Sequence, residues 1–432
     1  MGFDELRNTV RGRVLTAGDD DFDAAARPWS LAVAQPVAAV VVAADAADAA
    51  AVVRYAASAG RRVVTQPTGH GAAGGVDDAI LLRTAALDRL EIDPAARVAR
   101  AGAGVPWGRV QAAAAEHGLT GLAGSNPVVG VTGYTLGGGL GWFARKHGFA
   151  SNAVRAFEIV DAEGRAARVT ADGDPDLFWA LSGGGGDFAV VTGLEFELFP
   201  APGLYGGRIV WPAERLQEVW EAFRALTSQA PDELSAWFQR FQFPQAPEMV
   251  AVDVAYLGDP AEGRALTAVL DGLGGAVSDQ RAAMSVADLG AITAEPSDPS
   301  PAISRAELLP ELTPEAEKII VGESVAPLVN IQVRQLGGAL ARPAAGARGA
   351  MPEQYAVYLL GLGLPQLRDA VHAKLNAVVA ELGGQVSGRK PFTFLAPGES
   401  AAAAFDAATL DRLRAVKRDR DPSGVIRSNF PV

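Results

Sequence analysis

Residues 121–148 read GLAGSNPVVGVTGYTLGGGLGWFARKHG. Glycine admits positive φ and lets a backbone approach another group closely. Runs of backbone N–H groups in such turns can converge on an anion such as a pyrophosphate. Two further stretches share the character: TQPTGHGAAGG at 65–75, with a lone histidine at position 70, and SGGGGDFAVV at 182–191. The three glycine loops, 69–75, 137–141 and 183–186, all fall in the first half of the chain. From the residues alone, a large phosphate-bearing cofactor and purely structural turns fit them equally well.

Several other ligands are disfavoured. No loop supplies the Lys-Ser/Thr pair of a P-loop. Gly102-Ala103-Gly104 has Trp107 where a dinucleotide fingerprint needs its third glycine. No HExxH and no GxSxG elbow occurs, so zinc-protease and esterase chemistry lack support. The chain has no cysteine, which removes disulfides, thiolate catalysis and cysteine metal sites. A formal charge of −12 opposes nucleic-acid binding. No apolar run is long enough for a membrane span, and the N-terminus carries no basic-then-apolar leader, so a cytoplasmic protein is expected.

Around the loops, VAAVVV (37–42), a helical stretch at 45–60 and RRVV (61–64) read as a strand–helix–strand unit. The histidine loop follows its second strand. AILLRT (79–84) reads as a strand, FEIVDAEGRAARVT (157–170) as a hairpin, and residues 174–200 as helix, glycine loop and strand. After residue 200 the pattern changes to alternating strands such as MVAVDVAYLG and EQYAVYLLGLG, with a helix at 366–383. The fold class expected is α+β.

Three segments resemble the FAD-binding domain of the vanillyl-alcohol-oxidase (PCMH-type) flavoproteins, nearest the berberine-bridge-enzyme-like branch. They are PTGHGAAG, NPVVGVTGYTLGGGLGWFARKHG and GGGGDFAVVT; VRQLGGAL (333–340) and the C-terminal DPSGVIRSNFPV resemble later parts of that branch. The resemblance implies an FAD-binding domain over 1–200 and an antiparallel-sheet substrate domain with flanking helices over 201–385. A segment over 386–432 would return to the FAD domain. It implies FAD contacts from Thr68, Gly69, His70 and Gly71 in the first loop, with His70 bonded covalently to the flavin. The second segment would contribute Asn126, Pro127, Gly130, Gly133, Tyr134, Thr135, Gly137, Gly138, Gly139 and Gly141. The third would contribute Asp187, Phe188 and Val190.

Three departures stand out. Asn126 replaces a cysteine that makes a second flavin bond in many relatives, so attachment here would be single. Asp187 replaces an asparagine and would repel a pyrophosphate unless its carboxylate turns to backbone donors. KPFTFLAP (390–397) puts Phe392 and Phe394 where relatives line the flavin with polar groups. Substrate oxidation needs a proton acceptor, and the sequence shows no clear base. Tyr256, Tyr358 and Arg334, on strands of the second domain, are the catalytic candidates. The expected function is oxidation of an alcohol or similar C–H donor, with oxygen as acceptor and a small molecule as partner. A redox-neutral cyclisation in an apolar pocket and a non-catalytic flavin-fold module are the alternatives.

Overall fold

The computed structural model describes residues 2–432. A first sheet holds β1 (Arg13–Leu15), β2 (Ala39–Val42), β3 (Val63–Thr65) and β4 (Ile80–Arg83). β2, β4 and β3 run parallel in that spatial order, with β1 antiparallel on the edge. Their near-continuous Val/Leu runs fit strands buried on both faces. The helix Ala46–Ser58 connects β2 to β3; the Asp45 carboxylate caps it and Gly60, at φ 63°, turns the chain out of it.

The second sheet is antiparallel: β5 (Leu90–Asp93), β6 (Val98–Gly102), β8 (Val154–Val160), β9 (Ala166–Val169) and β10 (Val190–Glu197), in the order β5-β6-β10-β8-β9. The short β7 (Leu119–Thr120) pairs apart from it with β11 (Phe199–Pro200). The third sheet has eight strands, all antiparallel to their neighbours. They are β12 (Leu204–Pro212), β13 (Leu234–Phe241), β14 (Met249–Leu257), β15 (Ser278–Asp279), β16 (Ala282–Met284), β17 (Ala302–Leu309), β18 (Leu328–Gln335) and β19 (Tyr355–Leu362). The last strand, β20 (Ile426–Arg427), joins the first sheet parallel to β3.

Strand parity divides the third sheet into two faces. Ile209, Phe238, Val252 and Val357 face one way and pack under the helices Leu216–Ser228, Pro314–Gly322 and Arg368–Leu382. Trp237, Ala255 and Leu257 face the other way and share a core with Trp107, Trp142 and Phe157. That second face therefore lies against the glycine-loop half of the molecule. Among the described residues no helix is long and apolar enough to cross a membrane.

Arg145 joins the two halves. It is buried, and its guanidinium donates to the carbonyls of Leu234 (2.8 Å), Leu336, Ala230 (3.1 Å) and Pro231 (3.4 Å). Beside it, Trp142 stacks on Trp237 at 3.6 Å between ring centroids, and Ser235 Oγ donates to the Trp142 carbonyl. Arg145→Met would strand buried carbonyls. It is expected to cost about 3 kcal/mol, read as a lower urea midpoint for the whole chain.

Candidate active site

The first loop is tight at its entry. Gly69 has φ 81°, and a Cβ there would come within 2.8 Å of Pro28. His70 follows with its imidazole stacked on Trp29 at 4.2 Å and its Nδ1 sharing a 2.8 Å hydrogen bond with Thr68 Oγ1. His70 Nε2 is buried and has no partner among the described residues. Burial pushes the imidazole down to about 4, so it is neutral through the physiological range. Trp29 was not legible in sequence, because nothing local to RPWS marks it as a neighbour of a loop forty residues on.

The second loop is tightly packed as well, and the missing side chains of Gly137, Gly138, Gly139 and Gly141 leave room for neighbouring protein atoms. A Cβ at Gly139 (φ 76°) would lie 2.5 Å from the Tyr134 ring, and one at Gly141 2.0 Å from the Ala123 carbonyl oxygen. Gly138 and Gly183 both back onto Arg348, while Gly137 and Gly185 back onto the Phe392–Thr393 segment. Open room lies elsewhere. A Cβ at Gly133 would meet no heavy atom within 4 Å, and one at Gly71 only the Asn429 amide at 3.9 Å. Gly130 packs near Pro67 of the first loop, bringing the two loops together.

The loops and the last residues also carry buried polar atoms without a partner among the described residues: Thr132 Oγ1, Tyr134 OH, Thr135 Oγ1, Gln66 Oε1 and Ser428 Oγ, besides His70 Nε2. Buried polar groups are ordinarily hydrogen-bonded, so this set fits a large polar group lying along the loops. Asn126 is committed within the chain. Its amide donates to the Pro296 carbonyl (2.9 Å), and its Oδ1 accepts from Val128 N–H (3.1 Å). Pro127 packs against Gly290.

Asp187 is turned to backbone donors. It accepts from the N–H of Ser428 (2.8 Å) and Val432 (3.4 Å). Lys417 Nζ donates to the Asp187 carbonyl (2.6 Å) and to Asp421 (2.8 Å). Asp187 thus ties the third loop to the last residues, and its charge is spent there. Phe188 and Val190 put their side chains into the apolar core, leaving only backbone to face a ligand.

Two of the three catalytic candidates come together. The buried Arg334 guanidinium lies 4.0 Å from the Trp237 ring, 5.1 Å from Tyr358 and 5.0 Å from Phe394. Its Nε donates to Gln332 Oε1, and among the described residues no carboxylate forms a salt bridge with it. Arg334 and Trp237 line one small cavity with Leu140 and Gly141 of the second loop. Burial lowers the Arg334 pKa and raises those of Tyr358 and Tyr134, with Arg334 partly offsetting the rise for each phenol. Phe394 stands against Tyr358 at 5.5 Å, so the Phe-rich segment does line this site.

Tyr256 is elsewhere. It pairs in register with Leu234 and packs in the helix-side core, where its hydroxyl donates to Glu262 (2.7 Å). The residue of β14 on the site-facing side is Asp253, which sequence reading passed over. It is fully buried and accepts from Arg208 (2.5 and 3.0 Å) and from Gln239. Burial pushes it above the usual carboxylate range against the pull of Arg208. The signal was available: Val250, Val252, Val254 and Tyr256 share one parity in MVAVDVAYLG, and Asp253 has the other.

Residues 37–170 match the FAD binding domain family. The sequence is 32% identical over 293 residues to (R)-6-hydroxynicotine oxidase of Paenarthrobacter nicotinovorans; the alignment covers 66% of this chain and 64% of that enzyme. The structure of 6-hydroxy-D-nicotine oxidase from Arthrobacter nicotinovorans superposes with a TM-score of 0.83 at 25% identity, covering 97% of each chain. Physcomitrella patens BBE-like 1 superposes at 0.86 and 18% identity over 100% of this chain and 99% of its own. The chain is an FAD-linked oxidoreductase with the fold of the vanillyl-alcohol-oxidase/PCMH-type flavoproteins. The unpartnered polar atoms of Thr132, Thr135 and Tyr134 fall within the span that matches the FAD binding domain.

A pH dependence follows from two histidines of this flavoprotein. Burial pushes His70 and His147 down to about 4 from 6.5. Below 6.5 the unfolded chain therefore binds more protons than the folded one. The stability contribution is complete above that pH and is lost as pH falls toward 4. Urea midpoints of the cofactor-free protein are expected to drop between about pH 7.5 and pH 5. The drop should be smaller in a His70→Gln, His147→Gln variant.

Proposed function

We propose that the chain is an FAD-dependent oxidase of a small alcohol or similar C–H donor, with FAD bonded covalently through His70 and oxygen as the electron acceptor. The observation that carries the reading is the convergence of Arg334, Tyr358, Trp237 and Phe394 on the sheet face turned toward the glycine loops. A bound flavin supplies hydride acceptance and passes two electrons on. The protein's part is to hold, orient and handle charge. Arg334, buried among three aromatic rings and without a carboxylate partner, is free to hold a substrate oxygen as negative charge develops on it. Tyr358 flanks it, and Tyr134 presents an unpartnered hydroxyl from the second loop. Trp237 and Phe394 supply apolar walls that keep water from the reacting carbon.

A neutral imidazole with one nitrogen engaged by Thr68 and the other unpartnered supports covalent attachment. Asn126 supports a single attachment, since it stands where a cysteine would be needed for a second. The substrate class of the nicotine oxidases it resembles makes (R)-6-hydroxynicotine a sensible first probe, with benzyl alcohol as a plain alternative.

Two expectations follow. The purified protein should be yellow, and the colour should stay with the acid-precipitated pellet; His70→Ala should release it to the supernatant. Yellow colour in the wild-type supernatant would keep the flavoprotein and remove the covalent bond. With a substrate that bleaches the flavin, Arg334→Met should lower kcat/KM by about 100-fold or more while FAD content is unchanged. Turnover without bleaching or oxygen uptake would favour redox-neutral chemistry.

A further inference from the structure

The segment between the helical turn Val286–Ala291 and β17 is pinned to both flavin loops. Asn126 of the second loop donates to the Pro296 carbonyl, and Trp29 Nε1 donates to the Ser297 carbonyl (3.1 Å). Trp29 in turn stacks on His70. Leu31 N–H donates to the Ser300 carbonyl (2.9 Å), and Ser300 N–H donates to the Trp29 carbonyl (3.1 Å). Gly290 lies under Pro127. These contacts hold residues 290–300 across the seam between the glycine loops and the third sheet.

Glu295 sits in the middle of this strap, next to the pinned Pro296. The preceding Ala294 has φ 48°, a left-handed conformation that a residue with a Cβ adopts only when its surroundings require it. Glu295 is half-buried and makes neither a hydrogen bond nor an ion pair with any described residue. Its charge nevertheless acts on Arg208, Arg334 and Tyr358, which stand on β12, β18 and β19. Asp253 is another carboxylate that acts on Arg334, and it is already committed to Arg208 and Gln239. The site thus holds one spent carboxylate and one free one, and the free one is carried by the strap.

We propose that Glu295 is the proton acceptor of the oxidation put forward above, a role that rests on that reading. As the substrate's C–H bond breaks, its electron pair and hydrogen leave as hydride to the bound flavin. The proton of the adjoining O–H or N–H passes to the Glu295 carboxylate, and a C=O or C=N bond forms. Arg334 holds an alcohol oxygen during the transfer, and half-exposure lets Glu295 return the proton to solvent.

The test uses FAD-loaded wild type, Glu295→Gln and Glu295→Asp, matched for flavin content. The first readout is the flavin reduction potential, which needs no substrate. Removing a negative charge beside the flavin should raise it by about 30 mV in Glu295→Gln, a tenfold change in a two-electron equilibrium. An unchanged potential places Glu295 away from the flavin and overturns the proposal. The second readout is anaerobic bleaching by (R)-6-hydroxynicotine and by benzyl alcohol. The rate should fall by about 100-fold or more in Glu295→Gln, in kcat rather than KM, with partial recovery in Glu295→Asp. Wild-type bleaching rates in Glu295→Gln overturn the proton-acceptor role alone. A wild-type flavin that neither probe bleaches overturns the oxidase reading and this role with it.

Discussion

The site depends on a buried cation that forms no salt bridge among the described residues. Arg145 leaves water to meet only backbone carbonyls, at the start of β13 and the end of β18. Burial alone makes such a guanidinium costly, and it lowers the Arg145 pKa. Several carbonyl oxygens offset that cost only when all are in place at once. The residue therefore acts as a gauge of position: the second glycine segment can sit on the sheet at one setting. The Trp142–Trp237 stack fixes the same seam from the side. Arg334, Tyr358 and Tyr134 come within mutual range because this joint does not slide.

The third loop is fixed by a different device. Its aspartate takes the N–H groups of the chain's last residues, and Lys417 bridges its carbonyl to Asp421 and to the Ile426 carbonyl. The basic run at 412–420 takes part in this lock. Arg412 lies 3.8 Å over Trp179, and Arg420 pairs with Asp174. A charge that would have opposed a phosphate is thereby made structural.

What the sequence disclosed follows from the range of each signal. Buried parallel strands, the Asp45-capped helix and the hairpin at 157–170 are local, and their patterns were readable. Arg334 and Tyr358 stood out as strand residues of the substrate sheet that the resemblance implies, and the fold brings their side chains together. Tyr256 lies on the helix side of the sheet, which strand parity encodes, since its apolar neighbours at 250, 252 and 254 go the same way. The glycines were legible as turns but not in their partners. Whether a missing Cβ makes room for a ligand or for Tyr134 depends on residues that meet only in the folded chain. Trp29, Arg145 and Arg348 left no trace, because each acts across a long stretch of sequence.

Asn126 joins the two accounts. In the resembled family a cysteine at that position grips the flavin; here an amide grips the strap through the Pro296 carbonyl. An amide reaches a carbonyl by a hydrogen bond that a thiol makes only weakly. The exchange therefore does more than remove a bond to the cofactor. It moves the grip of the second loop from the ligand to the segment that carries Glu295. Holding that segment down sets how far the one uncommitted carboxylate can stray from Arg334. A chain that leaves one edge of its flavin free would then spend the same residue on fixing the charge that faces it.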